Sequence, residues 1–306
     1  MILGRRLAPA LPLAALAAIL VATVARAAAT PVATIRTGIQ PCAAVQGFGA
    51  VWVSVYGSAR LSRIDPATNR VTTSIPVGAS PCGLAIGAGS VWIDGYGTNT
   101  IERVNPRTRK VRPIRVGSAP FDVAYAFGAV WSTDNGSRQV SRIDPRTNRV
   151  VRVIRTGGAP AGLAVTREAV WAGSTTGAFV FRIDPRTNAF RRIRVGGTSP
   201  AWLGANDDAV WVADVQGGLV IRLDPKTGAV VARVEVGPQP VDGTVAADGS
   251  AWFPLRGADQ LVRIDPETNT VVERVPVGTT PFVVNEAFGD LWVPSYGGAD
   301  VRRVQP

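Results

Sequence analysis

The sequence predicts an all-β fold, a seven-bladed β-propeller with four antiparallel strands per blade, closed by an N-terminal strand that completes the last blade. Three observations predict it. Trp52, Trp92, Trp131, Trp171, Trp211, Trp252 and Trp292 recur at spacings of 40, 39, 40, 40, 41 and 40 residues; a repeat near forty built from short apolar runs is a propeller period. Each unit carries four strand signals separated by turn chemistry. The repeat is also offset at its ends. The chain stops after a third-strand segment, residues 301–306, while residues 32–38 are a fourth-strand segment with no blade of their own. Pairing the two removes both open sheet edges.

The elements follow in order along one unit, best seen over residues 51–85, VWVSVYGSARLSRIDPATNRVTTSIPVGASPCGLA. The first strand follows a Pro and is small and apolar, as in residues 82–86. The second contains the Trp, the third ends in Arg-Ile-Asp-Pro or a variant, and the fourth alternates β-branched residues, as in residues 71–77. Between third and fourth strands stands Asp-Pro-x-Thr-Asn, begun by Asp65, Asp144, Asp184 and Asp265, with variants at Asn105 and Asp224. Asp accepts backbone N–H bonds there, Pro presets φ, and Asn or Gly takes the position with positive φ. These carboxylates therefore read as turn caps, not as metal or acid/base groups. Gly-x-x-Pro, from Gly38 and Pro41 round to Gly278 and Pro281, links each outer strand to the next inner one. Pro can open a strand there without forfeiting a ladder bond. No Gly-rich run leads into a helical pattern, so a phosphate cradle has no support. The seven in-register Trp side chains fill the layers between blades.

Residues 1–27 lie outside the repeat. Arg5 and Arg6 precede an apolar stretch over residues 7–24 and then Ala25-Arg26-Ala27, the pattern of a signal peptide and its cleavage site. Pro9, Pro12 and many Ala residues argue against a permanent spanning helix. The expected product is residues 28–306 as a single propeller domain, exported to the periplasm or beyond the cell, without a transmembrane anchor and monomeric. The formal net charge is +11. Removing three arginines with the signal peptide leaves 30 basic and 22 acidic residues. This excess favours anionic partners in a non-specific way. Most of it is spread by the repeat through Arg63, Arg103, Arg142, Arg182, Arg222, Arg263 and Arg303.

Cys42 and Cys82 each follow the Pro of consecutive Gly-x-x-Pro motifs. Equivalent positions of a sevenfold ring at an inner radius of ~7 Å lie ~6 Å apart, within disulfide range. A disulfide suits an exported protein; the alternative is two buried free thiols.

The sequence contains no histidine, which removes Ser-His-Asp hydrolysis, imidazole acid/base catalysis and the commonest transition-metal sites. What remains is carboxylate, Lys, Tyr or Ser chemistry, or an oxygen-ligand cation site. Because the fold accounts for the repeated residues, a site is sought among departures from the repeat. Two regions face one end of the ring: the turns between second and third strands, and the starts of the inner strands. The first supplies Tyr56, Asp94, Tyr96, Asp134, Asn135, Asp214, Arg256, Ser295 and Tyr296; the second supplies Asp122, Trp202, Asp242 and Asn285. Tyr56, Tyr96 and Tyr296 fall in blades made neighbours by closure and form an aromatic sector. Trp202, outside the sevenfold register, either plugs the channel or stacks on a ligand; plugging is preferred, since the centre of a propeller needs filling.

The repeat, in Val91-Trp92-Ile93, Arg103-Val104-Asn105-Pro106-Arg107-Thr108, Ile114-Arg115-Val116-Gly117 and Pro120, resembles the YVTN or YncE-like propeller repeat, in the superfamily that includes virginiamycin B lyase. The resemblance covers essentially residues 32–306 and implies the WD40-like propeller fold. The literal tetrapeptide is absent, Trp standing where Tyr is usual. In the lyases the resemblance implies a histidine base, a nearby acid and a divalent cation, and no position here carries that histidine over. The leading expectation is thus a non-catalytic binding or scaffold module, its rim engaging a protein, a small molecule or an anionic polymer, with no cofactor. The alternatives are a histidine-independent lyase or lactonase using rim carboxylates with a divalent cation, and a nucleic-acid binder, as the resemblance to YncE-like proteins also implies.

Overall fold

A computed structural model describes residues 28–306; the signal-peptide reading of residues 1–27 lies outside the described residues. The chain forms seven four-stranded antiparallel sheets. Strand β1 (Thr30–Arg36) comes first but belongs to the last blade. Blade 1 is β2 (Pro41–Gly47), β3 (Ala50–Val55), β4 (Arg60–Asp65) and β5 (Arg70–Pro76). Blade 2 is β6 (Leu84–Gly87), β7 (Ser90–Gly95), β8 (Thr100–Val104) and β9 (Val111–Arg115). Blade 3 is β10 (Pro120–Ala126), β11 (Ala129–Asp134), β12 (Gln139–Asp144) and β13 (Arg149–Arg155). Blade 4 is β14 (Pro160–Thr166), β15 (Ala169–Ser174), β16 (Phe179–Ile183) and β17 (Phe190–Arg194). Blade 5 is β18 (Pro200–Ala205), β19 (Val210–Asp214), β20 (Leu219–Leu223) and β21 (Val230–Glu235). Blade 6 is β22 (Thr244–Val245), β23 (Ala251–Leu255), β24 (Gln260–Asp265) and β25 (Thr270–Pro276). Blade 7 is β26 (Asn285–Ala287), β27 (Asp290–Pro294) and β28 (Asp300–Gln305), completed by β1.

The closing register places Ile35 opposite Val301 and Arg36 opposite Asp300. Ile35 is buried with Trp292, Val301 and residues of blade 1, so closure adds core as well as hydrogen bonds. The Trp residues behave as the spacing predicts. All seven are buried, and each packs into the neighbouring blade, as Trp52 does against Val91, Ile93 and Val104. The indole N–H of Trp52, Trp92, Trp131 and Trp292 donates to a carbonyl at the end of its own first strand.

The Asp-Pro-x-Thr-Asn turns cap as expected: Asp65 Oδ1 accepts from Ala67 N at 3.0 Å, and Asn69, Asn148, Asn188 and Asn269 hold φ between 55° and 61°. Their Asn side chains have a second role that local turn logic does not contain. The guanidinium of Arg103 lies over Trp92 and donates across the blade boundary to Pro145 O and Asn148 Oδ1. Arg142, Arg222 and Arg303 repeat this staple toward Asn188, Asn269 and Asn69. Much of the basic excess is therefore a structural element, half-buried between blades.

Candidate functional site

Strand register sets the site's geometry. Pro41 pairs with Val55, Pro120 with Asp134, Pro160 with Ser174 and Pro200 with Asp214, so inner-strand starts and the turns after second strands share one end of the ring. Alternation along the second strand then divides the acidic candidates. Asp134 and Asp214, three residues after their Trp, turn toward the connectors and are fully buried. Asp134 accepts from Gly117 N, Ser132, Gln139 and Ser141; Asp214 accepts from Thr198 N and Ser199 N. Their carboxylates hold connectors in place and do not reach the channel mouth. Asp94, two residues after its Trp, turns the other way and accepts from Cys82 N at 2.6 Å and Gly83 N at 3.0 Å.

Cys42 and Cys82 form a disulfide joining the inner segments of blades 1 and 2, with Cα atoms 5.1 Å apart. Beside it opens a cavity of about 260 Å³ lined by Cys42, Tyr56, Cys82, Asp94, Tyr96, Phe121, Arg256, Phe282 and Tyr296. Of the predicted residues, Tyr56, Asp94, Tyr96, Arg256 and Tyr296 thus meet in one place.

Their rings form a continuous chain: Tyr96 to Phe121 at 5.7 Å, Phe121 to Trp202 at 5.1 Å, Trp202 to Phe282 at 4.9 Å, Phe282 to Tyr296 at 5.7 Å, and Tyr296 to Tyr56 at 5.6 Å. Tilted and edge-on pairs at such separations are the favoured aromatic geometry. The Arg256 guanidinium lies 5.2 Å from the Phe282 ring centre and 6.0 Å from that of Tyr296, and its buried Nε has no hydrogen-bond partner. Burial and the neighbouring Tyr56 raise the Tyr296 phenol above its ordinary range, against the pull of Arg256.

Trp202 is only 5% exposed and reaches from blade 5 to rings of blades 3 and 7, which makes it the filling of the channel beneath the cavity. Phe121 and Phe282 escaped the sequence reading. The signal was available: both directly follow the Pro of Gly-x-x-Pro, where Cys42, Cys82, Ala161, Ala201 and Val241 stand in the other blades. Asn135 instead donates to Pro160 O, and Asn285 to Ala44 O, as ties between blades.

Three carboxyls line the inner wall. Asp122 accepts from Val123 N and from Leu163 N of the next blade. Burial pushes its carboxyl up to about 7 against those bonds. Burial, then the charge of Asp122, raises Asp242 well above the carboxylate range, and Oδ1 of Asp242 has no partner. Burial likewise holds Asp94 well above its ordinary value, opposed by the Cys82 and Gly83 amides. Burial thus disfavours the charged form of all three carboxyls. Among the described residues no group of three or more His, Cys, Asp or Glu is arranged to hold a metal ion, and no helix is long and apolar enough to cross a membrane.

No protein-family model matches the sequence, and no curated protein matches it in sequence. Its fold is that of virginiamycin B lyase-like seven-bladed propellers. A streptogramin B lyase structure superposes with a TM-score of 0.78 at 16% identity, covering 89% of this chain and 96% of the lyase. A catalytically inactive virginiamycin B lyase from Staphylococcus aureus, with a histidine changed to alanine and with quinupristin, gives 0.76 at 17% identity over 90% and 99%. A WD40 β-propeller domain gives 0.76 at 12% identity over 90% and 97%. At these identities the likeness is one of fold.

Proposed function

We propose that this protein is an exported binding module, and that its channel mouth takes a compact planar apolar group carrying a carboxylate. The observation that supports this most is the aromatic chain around the cavity, with the Arg256 guanidinium over two of its rings and lining the same cavity. An apolar pocket with few convergent polar groups is the usual form of a small-ligand site. Rings would supply area, and Arg256 would supply orientation by a charge-assisted bond.

Binding without catalysis is favoured over the lyase-type reading for two reasons. A lyase neighbour is inactive once a histidine becomes alanine, and this chain has no histidine to play that part. The channel carboxyls, moreover, have oxygens engaged by backbone N–H groups, which suits a wall rather than a cation cage. Export is proposed from the disulfide together with the leader-like residues 1–27.

Calorimetric titration with indole-3-acetate, benzoate and uncharged indole tests the reading. The two carboxylates should bind, and Arg256→Gln should weaken them about tenfold while leaving indole alone. No heat from any of the three, or equal carboxylate affinity in the variant, removes the mouth as such a site.

A further inference from the structure

The seven in-register arginines differ in one instructive place. Six of them lie over the Trp of their own blade, at 5.0 to 5.9 Å from the ring centre. Each of these six has further partners. Arg103, Arg142, Arg222 and Arg303 reach the Pro carbonyl and the Asn of the next turn. Arg182 has Pro225 O and Glu168; Arg263 has Ser250, Asp248 and Glu273.

Arg63 has none of this. Its guanidinium instead donates from Nη1 to Thr72 Oγ1 on the outer strand, at 2.9 Å. The sequence explains the difference twice over. The position that offers Ser90, Ser250 or Asp290 to other arginines is Ala50 in blade 1, which has no acceptor. The turn that should supply Asn in blade 2 ends in Arg109, at φ 62°. A cation thus stands where the staple's acceptor stands in four other turns, and it repels the guanidinium that would have docked there.

Where the staple is missing, a cavity of about 460 Å³ remains between blades 1 and 2, lined by Phe48, Trp52, Arg63, Thr73, Pro106, Arg107 and Arg109. Three guanidinium groups line it and no carboxylate does. The side chains of Arg107 and Arg109 make no hydrogen bond or ion pair among the described residues, and the carboxylate nearest in chain, Asp65, attracts Arg63 but is hydrogen-bonded by Ala67 N and Thr68 within its own turn. Phe48, 45% exposed and at φ 54°, adds an aromatic wall. Arginine forks gathered around one pocket suit a tetrahedral oxyanion.

We propose that this inter-blade pocket, opened by Arg109 in place of the staple Asn, binds a phosphoryl group, either as a free oxyanion or as a phosphate monoester on a planar base. It lies at the opposite end of the ring from the aromatic cavity and stands independently of the reading given for that cavity.

The test is calorimetric titration of inorganic pyrophosphate and of a nucleoside monophosphate at about 150 mM salt, where diffuse attraction is screened. Binding should weaken about tenfold or more in Arg63→Gln, each lost charge-assisted bond being worth that much. Arg109→Asn is the decisive variant. It restores the residue found at the same φ in four sister turns, so it should let Arg63 dock on Pro106 and Trp52, abolish binding and raise the melting temperature by about 3 °C. Arg146→Gln, the blade 3 counterpart of Arg107, should change nothing. Tighter binding of the monophosphate, lost in Phe48→Ala, identifies the ester; equal or tighter pyrophosphate binding identifies the free oxyanion. Absence of binding by both probes at about 10 mM, undiminished binding in Arg109→Asn, or an equal loss in Arg146→Gln overturns the proposal.

Discussion

The two ends of the ring are built by opposite rules. At the end carrying the Asp-Pro-x-Thr-Asn turns, one sentence is repeated with few changes, and each repeated residue has a mechanical task. Asp caps its own turn, Asn takes the left-handed backbone position, and Arg ties the turn to the previous blade. At the channel mouth the repeat is broken in nearly every blade. Inner strands shorten to β22 and β26, the segments that should extend them are bridged to one another through Asp242 and Val283, and Phe, Cys, Asp and Trp replace small residues. Regularity marks what holds the ring; departure marks where something can be held. The pocket at Arg109 extends the lesson, because it arises at the regular end at the one turn whose Asn has become a cation.

The comparison can be broken most completely by opening the ring. Deleting residues 1–36 removes β1 and should abolish the single cooperative thermal transition at both ends alike, as followed by circular dichroism, since β28 would be left as an unpaired edge. Next in size is the tie confined to the mouth. Cys42→Ser with Cys82→Ser should cost about 4 kcal/mol by the loop-entropy model for a closed loop of 40 residues, read by denaturant melts and mimicked by reductant on the parent protein.

The staples sharpen the contrast within the regular end. Arg222→Ala removes bonds to Pro266 and Asn269 and a ring contact, and should cost about 2 kcal/mol. Arg63→Ala, which loses only the bond to Thr72, should cost about 0.5 to 1 kcal/mol. Equal losses would remove the distinction between stapled and unstapled blades.

The last contrast is a slope with pH, and it has opposite signs at the two ends. Asp122 is raised when folded, so the unfolded chain gives up that proton first, and stability falls as pH climbs from the ordinary carboxylate value toward about 7. The turn aspartates Asp65, Asp144, Asp184, Asp224 and Asp265 are lowered, chiefly by backbone hydrogen bonds within their own turns. Their contribution is present above the ordinary carboxylate range and is lost below it as pH falls through their folded values. Asp122→Asn should therefore lessen the fall in melting temperature between about pH 4 and 7, the rest of it belonging to Asp94 and Asp242, and leave the acid limb intact. A profile unchanged across that window would place its proton elsewhere.

Local chemistry written in the sequence determined the blade count, the turns, the role of the Trp register and the closure of the ring. Each follows from a period or from a turn residue acting within a few positions of itself. Which departures from the repeat meet was decided only by the tertiary structure. Asp94 and Asp134 look alike in sequence, yet one residue of strand register sends them to opposite faces. Phe121 and Phe282, far apart along the chain, join through Trp202 across the channel. The acceptor missing for Arg63 lies 46 residues onward, at Arg109. Contacts between blades depend on which neighbour the ring supplies, and a repeat read one unit at a time does not contain its neighbour.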